Sequence, residues 1–218
     1  LGDVYKRQVN YNYKDRYLLT VSARYDGSSR LAPGHKWVLF PSAALAWRVK
    51  EESFLKDVDC LSNLKLRLGW GITGNTAIDP YKTQGNLEYG RYSYGSNGVL
   101  AFYQKEMPNP NLSWEKTEQW NAGIDFGFLN GRIGGSVDLY LQNTNDLLMD
   151  RQLPVVSGFG NVTTNIGQIR NKGLEVTLNT VNIDTKDFKW TTDFMFSVNK
   201  EEIVELYNGK VDVEGNKW

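Results

Sequence analysis

Two patterns in the chain have the residue types and spacing for chemistry. Gly69-Trp70-Gly71-Ile72-Thr73-Gly74 carries the glycine spacing of a dinucleotide-binding turn. That turn needs its glycines to open a helix behind a strand, so that helical N–H groups meet the pyrophosphate. Here apolar alternation runs through the glycines, and Asn75 to Pro80 leads into a loop. The glycines therefore read as small strand residues that let other groups pack closely on one face. Glu115 and Glu118 are a carboxylate pair of the kind that cleaves glycosidic bonds. Three apart on a strand, they point to opposite faces and cannot clasp one bond; rim charge is the stronger reading.

His35 is the sole histidine and Cys60 the sole cysteine. One imidazole in Pro33-Gly34-His35-Lys36 reads as a loop residue, and one thiol forms neither an internal disulfide nor a metal cluster. No nucleophile with its base, no acid/base pair and no metal cluster assembles, so neither an enzyme nor a bound cofactor is expected.

Binding chemistry has a better candidate. Between Tyr81 and Tyr103, aromatics stand among Gly, Asn and Ser, a mixture that makes adaptable contact surfaces. Tyr89, Tyr92, Tyr94, Phe102 and Tyr103 are the candidate contacts to a cargo or a partner protein. Self-packing of the loop explains the same residues equally well.

The elements that must position these residues are strands. From Leu64 to Thr73, one face carries Leu64, Leu66, Leu68, Trp70 and Ile72, and the other Lys65, Arg67, Gly69, Gly71 and Thr73. Side chains alternate across a strand, so this is a sheet with one oily and one polar side. The pattern recurs at 17–26, 119–128, 132–142, 174–179 and 189–198, and a short stretch, 9–13, begins the series. Trp37 to Val49 is less regular, because Val38, Phe40 and Ala44 make its second face apolar too. The spacing predicts an all-β antiparallel meander of about eight long strands. Connections alternate between short (Lys14 to Arg16, the Asn130-Gly131 hairpin signal, 184–187) and long (27–36, 75–112, 144–170). A medium link at 50–61 has room for a helical turn at Glu51 to Lys56. Short turns on one rim and long loops on the other are the layout of an outer-membrane barrel.

A soluble β-sandwich also alternates. Three features favour the barrel. Several strands reach about 10 residues, the length a tilted membrane strand needs, against about 5 to 6 in soluble sheets. Aromatics bracket the oily faces: Tyr17 and Tyr25 on one strand, Trp37 and Trp47 on the next. Eight to ten residues at roughly 3.3 Å each, tilted by about 45°, span about 19 to 23 Å, near the ~25 Å apolar band of such barrels. Finally, Arg24, Lys65, Arg67, Asp125, Asp138, Glu175 and Asp193 all fall on the polar faces. A charge facing lipid at mid-membrane costs about 2–4 kcal/mol.

Composition agrees with this reading. Seven Trp, 12 Tyr, 9 Phe and 21 Gly among 218 residues suit long strands joined by polar loops. Twenty-five basic and 25 acidic residues cancel, so the basic footprint of a nucleic-acid partner is missing. No apolar run reaches the ~18 residues of a spanning helix. The opening octet Leu1 to Gln8 reads as translated sequencing adapter. It is expected to be non-native, with 9–218 as part of one barrel domain that lacks both barrel ends and does not fold alone.

Six blocks carry a family resemblance. They are RYLLTVSARYDGSSR from Arg16, FPSAALAWR from Phe40, LKLRLGWGITGN from Leu64, PNPNLSWEKTEQWN from Pro108, FGFLNGR from Phe126 and NIGQIRNKGLE from Asn165. In this order they resemble SusC/RagA-type TonB-dependent outer-membrane proteins of Bacteroidetes. The resemblance covers nearly everything after residue 8. It implies a segment of a transmembrane barrel of about 22 strands with an N-terminal plug. It also implies import of oligosaccharides or peptides, energy relayed by TonB through the missing N-terminal part, and a SusD-like surface lipoprotein as lid. No catalytic or ligand residue is carried over. In a bacterial outer membrane, the glycosylation-like triplets at Asn111 and Asn161 are chance matches. The alternative, a soluble carbohydrate-binding β-sandwich, stays open at this stage.

Overall fold

The computed structural model describes residues 2–206; residues 207–218 of the expected barrel domain lie outside the described residues. Its strands are β1 (Val4–Tyr13), β2 (Tyr17–Gly27), β3 (Trp37–Arg48), β4 (Leu61–Asn75), β5 (Leu87–Tyr94), β6 (Asn97–Gln104), β7 (Glu115–Phe128), β8 (Ile133–Asn145), β9 (Leu148–Gln152), β10 (Asn161–Asn165), β11 (Gln168–Asp184) and β12 (Lys189–Glu205). Eight of them form one antiparallel sheet in the order β1-β2-β3-β4-β7-β8-β11-β12. The expected meander is therefore present and is not closed on itself. The long connections, expected as plain loops, hold two further hairpins, β5-β6 and β9-β10.

Register turns the alternation into continuous rows. Tyr11, Leu19, Leu45, Leu68, Ala122, Leu139, Leu174 and Val198 pair in sequence from β1 to β12. The next row toward the short turns reads Tyr13, Tyr17, Trp47, Leu66, Ile124, Val137, Val176 and Phe196. Between these rows, Asn12, Leu18, Ala46, Arg67, Gly123, Asp138, Glu175 and Ser197 point to the other face. A one-residue slip would exchange the faces, so the oily set fixes the register.

The apolar face has nothing packed on it among the described residues. Leu68, Leu139 and Trp120 are each more than half exposed. A sandwich buries this face against a second sheet, and no second sheet packs on it among the described residues. An oily face this broad belongs against lipid.

The buried residues lie elsewhere. Leu31, Phe40, Ile78, Leu112 and Trp114 cluster at the long-loop end, with Val38, Ile72 and Leu148 packed around them. This explains the irregular alternation of β3. Phe40 points to the polar face, where the three long loops fold over it. Pairing of β3 with β4 stops at Ser42, beside Pro41, which has no N–H to donate.

The turns differ slightly from expectation. Asn130-Gly131 is not the central pair of its hairpin. Gly131 N bonds Phe128 O, so Leu129 and Asn130 are central, both left-handed at φ 54. Gly131 follows at φ 84 and completes a four-residue connection to Ile133. Leu129 tolerates this shape because its N–H also bonds Cys60 O, at 2.9 Å, tying two short-rim connections together. In the medium link, a single 3-10 turn occupies Val49–Glu51. The chain then turns on at Glu52, where Lys56 N bonds Glu52 O at 2.9 Å. The opening octet is not set apart by the fold: Val4 to Gln8 pair with Asp26 to Ser22 of β2.

Candidate functional site

Polar groups are held in defined geometry on the polar face of the sheet and in the cap of loops on the long-loop rim.

On the polar face, β4, β7 and β8 converge on Arg67. Its Nε lies 3.0 Å from both carboxylate oxygens of Asp125, and its Nη2 lies 2.7 Å from Asp125 Oδ1. The same Nη2 reaches Asp138 Oδ1 at 2.8 Å. Lys65 Nζ adds a looser ion pair to Asp125 at 3.7 Å. Two cations and two anions make a balanced network, with all four side chains about a quarter to a third exposed. Multiple charge-assisted hydrogen bonds fix the guanidinium plane. A shallow hollow beside it is lined by Thr20, Ala44, Gly69, Asn121 and Asp138, among others. The predicted inward glycines act here: Gly69 and Gly71 keep the wall thin beside Asn121 and Ser42, and Gly74 leaves room for Phe40 and Trp114.

The cap is knit from all three long loops. Arg30 Nη1 donates to Ile78 O at 3.0 Å, and Ala32 N to Leu112 O at 3.2 Å. Trp114 Nε1 donates to Lys36 O at 3.2 Å. Asn109 Nδ2 reaches Thr163 O, and Asn165 and Ser113 bond each other through two contacts at 2.8 and 2.9 Å. The Pro108 to Trp114 motif is thus the keystone of the cap, with its Leu112 fully buried. Lys82 and Glu106 pair at 2.7 Å inside it. Burial works against the Lys82 charge, but the hydrogen bond and field of Glu106 outweigh it and hold its pKa above the ordinary value.

From this cap projects the β5-β6 hairpin with all five candidate aromatics. The structure divides them. Tyr89 pairs directly with Phe102 on one face, beside Leu87 and Leu100. Tyr92, Tyr94 and Tyr103 lie on the other. All five are more than half exposed, from 51% for Tyr103 to 77% for Tyr94. Glu88 joins the second face, accepting from Tyr103 Oη at 3.0 Å and Lys105 Nζ at 3.1 Å. The Lys105 hydrogen bond, then that of Tyr103, holds the Glu88 carboxyl below its ordinary pKa. The same bond raises Tyr103.

Other singled-out residues have structural places. Glu115 and Glu118 do face opposite ways. Glu115 accepts from Asn75 Nδ2 and Leu148 N. Glu118 accepts from the indoles of Trp70 and Trp120 at 2.8 and 3.0 Å. Cys60 is an exposed free thiol among the short-rim connections. A hub missed from the sequence is Glu52 on that rim. It accepts from Tyr17 Oη at 2.7 Å, Trp47 Nε1 at 3.1 Å and Arg16 Nη1 at 3.2 Å. Bonds from Tyr17 and Trp47, then the charge of Arg16, hold its carboxyl below the ordinary pKa.

Both ends of the oily face thus carry aromatics with polar tips held by carboxylates, the arrangement found where a barrel wall meets water. A one-sided antiparallel arc with a polar inner wall, short turns on one rim and a knitted cap on the other is a piece of a transmembrane outer-membrane barrel. Comparison with known proteins gives its kind. Residues 8–217 match the family model described as TonB dependent receptor-like, beta-barrel. The chain is 46% identical over 215 residues to the TonB-dependent receptor SusC of Bacteroides thetaiotaomicron, covering 94% of this chain and 21% of that protein. It is 39% identical to the TonB-dependent receptor P26 of Formosa agariphila, over 94% of this chain and 20% of that one. The solved structure of the RagAB peptide transporter superposes with a TM-score of 0.86 at 30% identity, covering 96% of this chain and 23% of that one. The chain belongs to the TonB-dependent receptor β-barrel family and is of the SusC/RagA type. It spans about a fifth of the length of the curated relatives it matches.

Proposed function

We propose that this chain is wall and outer-rim cap of a TonB-dependent importer of oligosaccharides or peptides, working with a SusD-like surface lipoprotein. The observation that carries the reading is the two-faced sheet: an unbroken oily row across eight strands, backed by a polar wall on which Arg67 and Lys65 pair with Asp125 and Asp138. Such a wall seals against lipid outside while offering hydrogen bonds to a hydrated interior. The likeness to a peptide transporter and to SusC supports import of a nutrient over a passive structural role. TonB would act through a part of the receptor outside this chain. The β5-β6 hairpin, rigidly based and aromatic on both faces, is the contact to cargo or lid.

The test uses the full receptor expressed in its outer membrane with its lipoprotein partner. Uptake of a labelled oligosaccharide or peptide library should require both an intact TonB and the β5-β6 hairpin. Unchanged uptake without TonB would overturn the transport reading.

A further inference from the structure

We propose that Lys172 and Lys200 form a binding site for phosphate groups of anionic lipids at the long-loop edge of the membrane band. The proposal rests on the barrel-wall reading above.

The two lysines are cross-strand partners on β11 and β12. They share the parity of Leu174 and Val198, so they stand on the oily face. Their row continues through Leu141 to Trp120 and Trp70, whose indoles bond Glu118. Like charges placed directly opposite repel. Both side chains are exposed, and among the described residues neither has an ion-pair or hydrogen-bond partner. The neighbouring charges of this face do not supply one. Arg170 and Glu202 face each other one row further out, Arg170 being bonded to Asn143. Glu118 is occupied by the two indoles.

Their depth follows from the aromatic belts. At the short-turn end the belt is Tyr17 and Trp47 on β2 and β3, in the row that ends at Phe196. On β12 the aromatic nearest the turn is Trp190, six positions nearer the turn (196 minus 190). The band therefore slides along the strands, as strand tilt in a barrel requires. Ten positions separate Trp190 from Lys200 (200 minus 190), against eight from Tyr17 to Tyr25 (25 minus 17). The lysine pair thus falls at the outer edge of the band, at headgroup level. Two ammonium groups without a partner among the described residues have one complementary neighbour in the bilayer, the lipid phosphate. A basic side chain near an anionic membrane surface gains about 1 kcal/mol.

The test uses the full receptor in detergent, wild type against the double variant Lys172→Gln/Lys200→Gln. Lys186→Gln, in the opposite turn, is the control. Native mass spectrometry with added diphosphorylated lipid A should show wild type and control retaining the lipid. The double variant should bind it about 30-fold more weakly, from about 1 kcal/mol per lysine at about 1.4 kcal/mol per tenfold. Phosphatidylcholine should not be retained by any of the three. Equal lipid A retention by the double variant would overturn the proposal. Displacement of lipid A by millimolar inorganic phosphate would do so too, since it would mark a free-phosphate site. TonB-dependent uptake by the variant is read in parallel, so failure of the lipid site and failure of the transport reading are distinguishable.

Discussion

Arg67 on β4 reaches Asp138 on β8 with all of β7 between them, Nη2 lying 2.8 Å from Oδ1. The residue bridged is Gly123, paired to both. A Cβ built at Gly123 would collide with Asp138 Oδ1 and lie 2.9 Å from Arg67 Nη2. The ion pair exists because the strand between its partners has no side chain at that row. Gly123→Ala should therefore push the two side-chain ends apart and, because both are partly exposed, destabilise the full receptor by up to about 1 kcal/mol. Urea unfolding in detergent measures this, and an unchanged midpoint would show that the network spreads without cost.

Removing the cation should act differently. Arg67→Met leaves Asp125 with only the looser Lys65 pair at 3.7 Å, and leaves Asp138, directly opposite Glu175, with no ion pair among the described residues. The groups are partly exposed, so the loss is discounted for solvent to about 1 kcal/mol. Combining Asp125→Asn with Asp138→Asn in the Arg67→Met background should recover part of it. If the triple variant is no better than the single one, like-charge repulsion is not the cause.

The row through Leu68 predicts a face-dependent cost. Leu68→Arg puts a charge in the middle of the oily face and should cost about 2–4 kcal/mol in a refolding titration of the receptor with lipid vesicles. Asn121→Arg, one step around in register on the polar wall beside Gly69, should cost less than about 1 kcal/mol by the same principle. Equal costs would mean the two faces are assigned wrongly.

These contrasts also show what the sequence could and could not reveal. The oily and polar sets of Leu64 to Thr73 were legible because period two is local. The Arg67 network was not, because its partners lie 58 and 71 residues away and meet only through register. Phe40 is intermediate. Its breach of alternation was visible, but its cause, a cap built from Leu31, Ile78, Leu112 and Trp114, needs three loops to meet. The β5-β6 hairpin escaped notice because aromatic and apolar residues occupy both of its faces, which erases the alternation. The remaining signal was Gly95-Ser96 between two aromatic stretches, with Gly95 left-handed at φ 65.

The cap should behave as a unit separable from the wall. Trp114→Ala removes a 6%-exposed indole that packs edge-on against Phe40 at 5.4 Å between centroids. Truncating a buried Trp costs about 3–5 kcal/mol, and here the cost is local to the rim. Limited proteolysis should then cut within 76–114 while the far-ultraviolet circular dichroism of the β-sheet is retained. Resistance to cutting would place the cap's stability elsewhere.

Acid should loosen the second face of the hairpin. The folded Glu88 pKa lies below its ordinary 4.5. Its contribution is therefore fully present above about 4.5 and is lost as pH falls through the depressed value. Protection of the β5 and β6 amides, taken relative to their intrinsic exchange rate at each pH, should fall below pH ~4.5 in the wild type. In Glu88→Gln the protection should already be reduced at neutral pH, and acid should change it little. A wild-type profile that stays flat to pH ~3 would exclude this contact as a clasp.

The division of the five aromatics makes the contact proposal directional. Tyr92, Tyr94 and Tyr103 combine broad rings with hydroxyls on one face, and Glu88 holds Tyr103 in place. Tyr89 and Phe102, with Leu87 and Leu100, make the opposite face mainly apolar. Aromatic anchors with polar tips supply both area and hydrogen bonds at low entropic cost, which suits a hydrated cargo or a polar lid. Replacing the three tyrosines by Ala should reduce uptake or lid affinity at least about tenfold, or about 1.4 kcal/mol. Tyr89→Ala/Phe102→Ala should change it less than about threefold. Tyr89 and Phe102 would then serve as a cross-strand pair within the hairpin, and their loss should appear as faster exchange of β5 and β6, not as weaker binding. The reverse ranking in an uptake assay would assign the contact to the apolar face and leave the tyrosines as the packing side.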